Sequence, residues 1–202
     1  MKTFVTKDTF RVIIFDLNGT ITDRVSEHPS HIAYRNSYIE ENLGGKIMVE
    51  LPTSTTLALQ ICGIDPLRYY IARNAQIDWN QFHVFNASVN SAVNNLKKIG
   101  YKLVLYTDCL GEQIKRTLKL LKMENMFNMI ISEEFNMKKP TPKAFKYIAN
   151  SFDCSISDLL MVGNDYYKDL LPLIMLGGNA IQLEGTHELT DLFKFISSVK
   201  EE

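Results

Sequence analysis

Four short, largely apolar runs punctuate this chain, and a polar turn closes each one. Residues 12–15 (VIIF) stop at Asp16 and the turn pair Asn18-Gly19, and residues 103–106 (LVLY) stop at Thr107-Asp108. Residues 159–162 (LLMV) run into Gly163-Asn164-Asp165, and residues 180–183 (AIQL) into Glu184-Gly185. Such short, mostly apolar runs predict strands buried on both faces, as in a parallel sheet. Residues 129–131, closed by Ser132-Glu133, form a weaker fifth run.

Between the runs the period changes. Val89, Val93 and Leu96 predict a helix over 89–99, stopped by Gly100. In 114–123, Leu118 and Leu121 share a face with Ile114. Thr141-Pro142 opens a further helix with proline in its first turn, and 188–199 predicts a last one. Strands alternating with helices predict an α/β fold, a doubly wound parallel sheet with right-handed crossovers. Residues 24–85 break the rhythm with helix-like stretches at 32–43, 55–61 and 66–77 and no strand-like run. The expected organisation is a core of residues 1–22 and 86–202 and a helical insertion, 23–85. No Gly/Ser linker or internal repeat is present, so the insertion is expected to be tightly tethered.

Composition narrows the function classes. Of 202 residues, 46% are apolar, and 22 basic side chains face 23 acidic ones, for a net charge of −1. That excludes a basic nucleic-acid-binding arm and an acidic disordered tail. Cys62, Cys109 and Cys154 lie far apart without CxxC spacing, which argues against a disulfide framework and a zinc site. The first fifteen residues hold no run of signal-peptide length, being interrupted at Lys7, Asp8 and Arg11. No stretch approaches the ~18 consecutive apolar residues of a membrane span. A soluble, cytoplasmic protein without nucleic-acid or membrane partners, monomeric or homodimeric, is expected.

In an open α/β sheet the ligand site lies beyond the carboxyl ends of the strands, near the reversal of strand order. Those positions hold Asp16, Asn18, Gly19 and Thr20 after the first run, and Thr107 and Asp108 after the second. Asn164 and Asp165 follow the third, with Asp169 further on, and Lys139 in KKPTPKAF can reach the same edge. A lysine and a hydroxyl between two groups of acids suit a phosphate with a hard cation. Mg²⁺ takes oxygen ligands, keeps waters and needs few protein contacts. Lys and Thr neutralise and position phosphoryl oxygens. Asp16, aimed at phosphorus, can attack in line and form an aspartyl-phosphate.

VIIFDLNGTIT, LVLYTD, KKPTPKAF and LLMVGNDYYKD resemble, in order, the four motifs of the haloacid dehalogenase (HAD) superfamily, mostly phosphatases. The resemblance spans nearly the whole chain. It implies a Rossmann-like core with a small C1-type helical cap between motifs one and two. It also implies a Mg²⁺-dependent phosphatase of a small phosphorylated metabolite. Asp16 matches the nucleophile and a metal ligand, Thr107 the phosphate-binding hydroxyl, and Lys139 the motif-three lysine. Asp169 matches the downstream metal-binding acid, with Asn164 at the usual first acid of that motif and Asp165 beside it. Asn18 stands where most family phosphatases carry a second Asp, the general acid/base, and its main-chain carbonyl remains a metal ligand. Gly19, Thr20, Thr107, Asp108 and Lys139 are the substrate-binding candidates of the core. Small C1 caps set a glycine-containing loop over the active site, so Gly44-Gly45-Lys46 makes Lys46 the cap's candidate, ahead of Arg24, Arg35, Arg68 and Arg73.

Two departures from the family pattern shape the expected chemistry. Asn18 removes the group that protonates the leaving oxygen, a role worth roughly 10²–10⁴-fold. Asn164 lowers the negative charge of the site, although an amide oxygen is still a hard ligand. Acyl or aryl phosphates are therefore expected to react faster than sugar or glycerol phosphates. Two other readings stay open: a degenerate member that binds a phosphometabolite without efficient turnover, and a metal-independent, dehalogenase-type hydrolase.

Several of these residues also have plain structural readings. Asn18-Gly19 is a strong turn dipeptide. Asp108 is expected to cap the helix that follows, and Asp165 is either a metal ligand or a helix cap. Lys138 is expected to be solvated. His28 and His31 read as polar surface residues, and Tyr69, Tyr70 and Trp79 as packing within the insertion.

Overall fold

Each apolar run forms a strand whose alternate residues go to opposite faces of one sheet. The computed structural model describes residues 1–5, 10–24, 28–52, 54–78, 83 and 85–200, with side chains to 198. The runs become β2 (Val12–Phe15), β3 (Lys102–Tyr106), β4 (Met129–Ile131), β5 (Leu159–Gly163) and β6 (Asn179–Gln182). Ile13, Phe15, Leu105 and Val162 pack on one face with Val93 of α4 (Ala87–Lys98), Leu118 of α5 (Gly111–Leu120) and Leu192 of α8 (Leu189–Lys200). Val12, Ile14, Val104, Tyr106 and Met161 pack on the other with Phe145 of α6 (Pro142–Ser151) and Leu173 of α7 (Leu171–Ile174). Each such buried side chain contributes roughly 1.5–3 kcal/mol, so neither face tolerates a polar alternation.

With β1 (Lys2–Phe4) at one edge, the sheet order is β1-β6-β5-β2-β3-β4. From β2 the chain winds outward to β3 and β4, then returns to the other side for β5 and β6. Both neighbours of β2 are parallel to it, with Phe15 opposite Leu105 and Val162. The residues that follow these three strands therefore emerge side by side. β1 (Lys2–Phe4), which no apolar run marks, adds an antiparallel edge to β6. It is three residues long and mostly exposed, as an edge strand can be.

By its contacts the chain divides into Met1–Asp23 with His83–Glu202, and Arg24–Phe82. The second unit holds α1 (Pro29–Leu43), α2 (Thr55–Ile61) and α3 (Pro66–Gln76). Its apolar core is Ile39, Ala58, Leu59 and Tyr69, with Tyr34, Tyr38 and Tyr70 around the Tyr69 ring at 5.1–5.9 Å between centroids. Trp79 lies outside the described residues.

The two histidines of this unit differ. His28 caps α1 through its side chain, which accepts from the Ser30 N–H. His31 is not a surface residue: it is 1% exposed. Positions 31, 35 and 39 form one helical stripe, so Arg35 and His31 go inside with Ile39. The Arg35 guanidinium donates to the Pro52 carbonyl at 2.7 Å. Arg73 lies 3.3 Å from the His31 Nε2 and 4.7 Å over the Tyr70 ring. Both arginines, read from sequence as cap residues toward substrate, are buried within this unit. Burial, with Arg73 and Arg35 nearby, pushes His31 down to a pKa of about 4, so it is neutral at pH 7. Among the described residues, no helix is long and apolar enough to cross a membrane, and Cys62, Cys109 and Cys154 form no disulfide.

Candidate active site

The carboxyl ends of β2, β3 and β5 meet at the reversal of strand order, the expected place for a ligand in such a sheet. Asp16 is the first residue past β2, and its N–H is tied to the Val162 carbonyl at 3.0 Å. The chain then turns back through Gly19, whose φ of 86° suits a residue without Cβ. Gly19 N–H donates to the Thr22 carbonyl, and Thr22 N–H to the Leu17 carbonyl. Asn18-Gly19 is thus a true turn as well as part of the candidate site. The turn sends Thr20 inward, where its side chain is fully buried. The Asn18 carboxamide bridges two elements: Oδ1 accepts from Thr22 Oγ1 at 3.3 Å, and Nδ2 donates to Cys109 Sγ at 3.1 Å.

Lys139 is the hub. Its ammonium donates to Asp16 Oδ1 at 2.6 Å and to Asp169 Oδ1 at 2.8 Å, with only 3% of its side chain exposed. Lys138, one residue away, is 61% exposed and pairs with Glu133 at 2.5 Å. Asp169 sits in a wide π-type turn, residues 166–170, directly after β5. Its second oxygen accepts from the Asp165 N–H at 3.0 Å. A Cβ on residue 163 would come within 2.5 Å of Asp169 Oδ2, so Gly163 is what lets that carboxylate close on the strand end.

The remaining candidates divide between the site and its scaffold. Thr107, 2% exposed, accepts the Cys109 N–H on its hydroxyl at 3.3 Å. Asp165 accepts the N–H groups of Tyr167 and Lys168 on Oδ1, which makes it the cap of the turn carrying Asp169. The Asn164 carbonyl accepts from Gln182 at 3.1 Å. Asp108 does not cap α5, which starts later, at Gly111, with Leu110 in the capping position. Instead Asp108 accepts the Lys139 N–H at 2.9 Å and anchors the loop that delivers the lysine. Lys46 is exposed in the helical unit.

Tyr106 was read from sequence only as the last apolar residue of its strand. Its ring lies 5.0 Å from the Lys139 ammonium, and its hydroxyl donates to the Met137 carbonyl at 2.8 Å. The available signal was an aromatic residue directly before the candidate threonine.

The electrostatics follow from burial. Desolvation pushes the Asp16 carboxyl up to about 7; Lys139 pulls it down while Asp169 adds to the rise. Desolvation also works against the charge on Lys139, but Asp16 and Asp169 outweigh it and hold its pKa above the ordinary lysine value. Two carboxyl groups share one ammonium, and carboxyl, hydroxyl and carboxamide oxygens of Asp16, Asp169, Thr107 and Asn18 stand at these strand ends. That chemistry fits a hard divalent cation. Among the described residues, no three His, Cys, Asp or Glu side chains gather into a metal-binding group. A cation here would therefore draw its other ligands from carbonyls, water and a phosphate, as Mg²⁺ commonly does.

Residues 13–171 match the family model for haloacid dehalogenase-like hydrolases. The chain is 26% identical over 185 residues to a glyceraldehyde 3-phosphate phosphatase of Pyrococcus abyssi, covering 79% of this chain and 75% of that one. It is 24% identical over 168 residues to the pyrophosphatase PpaX of Bacillus thuringiensis (strain Al Hakam), covering 77% and 74%. Among solved structures, an HAD phosphatase from Thermococcus onnurineus superposes with a TM-score of 0.63 at 17% identity, over 91% of this chain and 97% of that one.

Proposed function

The chain belongs to the haloacid dehalogenase-like hydrolase family, and from that premise we propose that it is a Mg²⁺-dependent phosphatase of a small phosphorylated metabolite. The observation that carries this reading is the buried Lys139 bridging Asp16 and Asp169 at adjoining strand ends. A lone structural ion pair needs one carboxylate; a second one beside it suits a site that also receives a cation. Asp16 and Asp169 would hold Mg²⁺, with the Asn18 main-chain carbonyl and Asn164 or Asp165 as further oxygen donors. When bound, the cation supplies positive charge to the phosphoryl oxygens.

The protein's own groups then have distinct tasks. A carboxylate oxygen of Asp16 attacks phosphorus, the bond from phosphorus to the ester oxygen breaks, and an aspartyl-phosphate forms with release of an alkoxide or phenoxide. Lys139 and the Thr107 hydroxyl bind the equatorial oxygens. Water then attacks phosphorus, returning the Asp16 carboxylate and inorganic phosphate. Asn18 cannot donate the proton an alkoxide needs, because a carboxamide N–H is not an acid at neutral pH. Leaving groups that are stable as anions are therefore favoured. Lys46 is the proposed substrate contact of the helical unit.

The test is a screen of acyl, aryl, sugar and glycerol phosphates with and without Mg²⁺. Aryl and acyl esters should turn over fastest and only with the metal. Asp16→Asn should abolish turnover with an unchanged circular dichroism spectrum, and activity within a few-fold of the parent would exclude the covalent route. Asn18→Asp should raise alkyl-phosphate turnover by about 10²-fold. Mass spectrometry of the Asn18-Gly19 peptide guards against spontaneous deamidation. Turnover without Mg²⁺ would favour the dehalogenase-type reading, and no turnover of any phosphoester the binding-protein reading.

A further inference from the structure

We infer that Tyr106 is a positioning residue for Lys139, acting on the site through the placement of that ammonium. The inference rests on the role proposed for Lys139, and its test separates the two. Three anchors converge on the lysine from β3 and the loop after it. The Asp108 carboxylate takes the Lys139 N–H at 2.9 Å, which fixes its backbone. The Tyr106 hydroxyl donates to the Met137 carbonyl at 2.8 Å, which fixes the loop two residues earlier. The Tyr106 ring itself lies beneath the ammonium, with Nζ 5.0 Å from its centroid.

The ring is in turn held. Tyr106 is 1% exposed and meets Phe145 of α6 edge-on, at 5.8 Å and 89°. Burial raises its pKa, so the phenol keeps its proton and remains a donor. A buried ammonium has lost its water, and two carboxylates satisfy only part of its surroundings. An aromatic face replaces some of that hydration without offering a competing acceptor. Phe or Leu would fill an apolar strand end equally well. Tyrosine alone among apolar-bodied residues supplies both the face under the ammonium and the hydroxyl on the loop.

The experiment uses Tyr106→Phe, which keeps the face and loses the hydroxyl, and Tyr106→Leu, which loses both. The first readout needs no turnover: the rate at which acetic anhydride acetylates Lys139, followed by mass spectrometry with exposed Lys115 and Lys194 as references. Lys139 should be strongly protected in the parent, exposed to labelling about fivefold faster in Tyr106→Phe, and on the order of 10²-fold faster in Tyr106→Leu. The second readout is p-nitrophenyl phosphate hydrolysis, where kcat should fall in the same order with KM changed less. Melting curves show which variants fold, and Tyr106→Phe decides alone if Tyr106→Leu does not. Unchanged Lys139 labelling in folded Tyr106→Phe and Tyr106→Leu would overturn the inference, as would unchanged labelling in Tyr106→Phe alone if the other variant is unfolded. Equal gains in Phe and Leu would remove the aromatic face from it. If the parent hydrolyses no phosphoester, the phosphatase reading fails while the labelling still decides the role of Tyr106.

Discussion

In the α/β unit the buried cation Lys139 lies between two carboxylates, whereas the helical unit buries Arg35 and Arg73 beside an imidazole that stays neutral. The α/β unit packs two large apolar clusters, one on each face of the sheet whose strand ends carry the site. Among the described residues, the helical unit has four buried apolar residues at its centre, and it leaves Met48, Val49, Ile61 and Ile71 more than half exposed. The contrast separates two uses of buried charge. Where a thick apolar core already supplies the stability, a buried ion cluster can serve chemistry. Where the core is thin, the polar side chains are themselves the packing.

Lys139→Ala should show the largest effect, because it removes the ammonium that pairs with both Asp16 and Asp169 and leaves the two carboxylates facing each other. Turnover should fall at least about 10³-fold, and urea unfolding should show a loss of about 3–5 kcal/mol. Lys138→Ala should change either quantity little, since an exposed pair contributes about 0–1 kcal/mol. Equal effects from the two lysines would undo the account of the site.

A pH series sharpens the helical side of the comparison. His31 takes up a proton near 6.5 when unfolded but only near 4 when folded. Its burial as a neutral ring therefore contributes fully above about pH 6.5 and is lost as pH falls toward 4. The loss should reach on the order of 3 kcal/mol. Carboxylates elsewhere also titrate there, so the informative quantity is the slope of unfolding free energy against pH in the parent minus that in His31→Phe. Identical slopes would mean that His31 does not carry the burial assigned to it.

The smallest effects mark the boundary of the thin core. Leu59→Ala, at a fully buried position, should cost about 2–4 kcal/mol. Ile61→Lys, two residues on and 62% exposed, should stay within about 0.5 kcal/mol by the same unfolding measurement. Comparable costs would mean that the exposed apolar residues of the helical unit are covered in solution.

How legible each unit was follows from the same difference. Strands buried on both faces have no polar alternation, so VIIF, LVLY and LLMV were visible as runs, and the residues closing them led directly to Asp16, Thr107 and the Gly163–Asp169 segment. The stripe His31, Arg35, Ile39 has a helical period but only one apolar member, and so its inward face did not show. Asp108 anchors a loop instead of capping α5 for a related reason: it stands beside a turn, and the turn decides whether a side chain caps or anchors.

The amino-acid sequence by itself determined the alternation of strands and helices, the position of the helical insertion and the candidate residues at the strand ends, because these depend on burial period and turn chemistry over a few neighbours. Tertiary structure alone decided that Asp16 and Asp169 share the Lys139 ammonium across 123 and 30 residues of chain, and that Tyr106 lies beneath it. Those contacts are set by parallel register between β2, β3 and β5 and by the room that Gly163 leaves. Such registry pairs residues distant in sequence, and no local pattern along one segment encodes it.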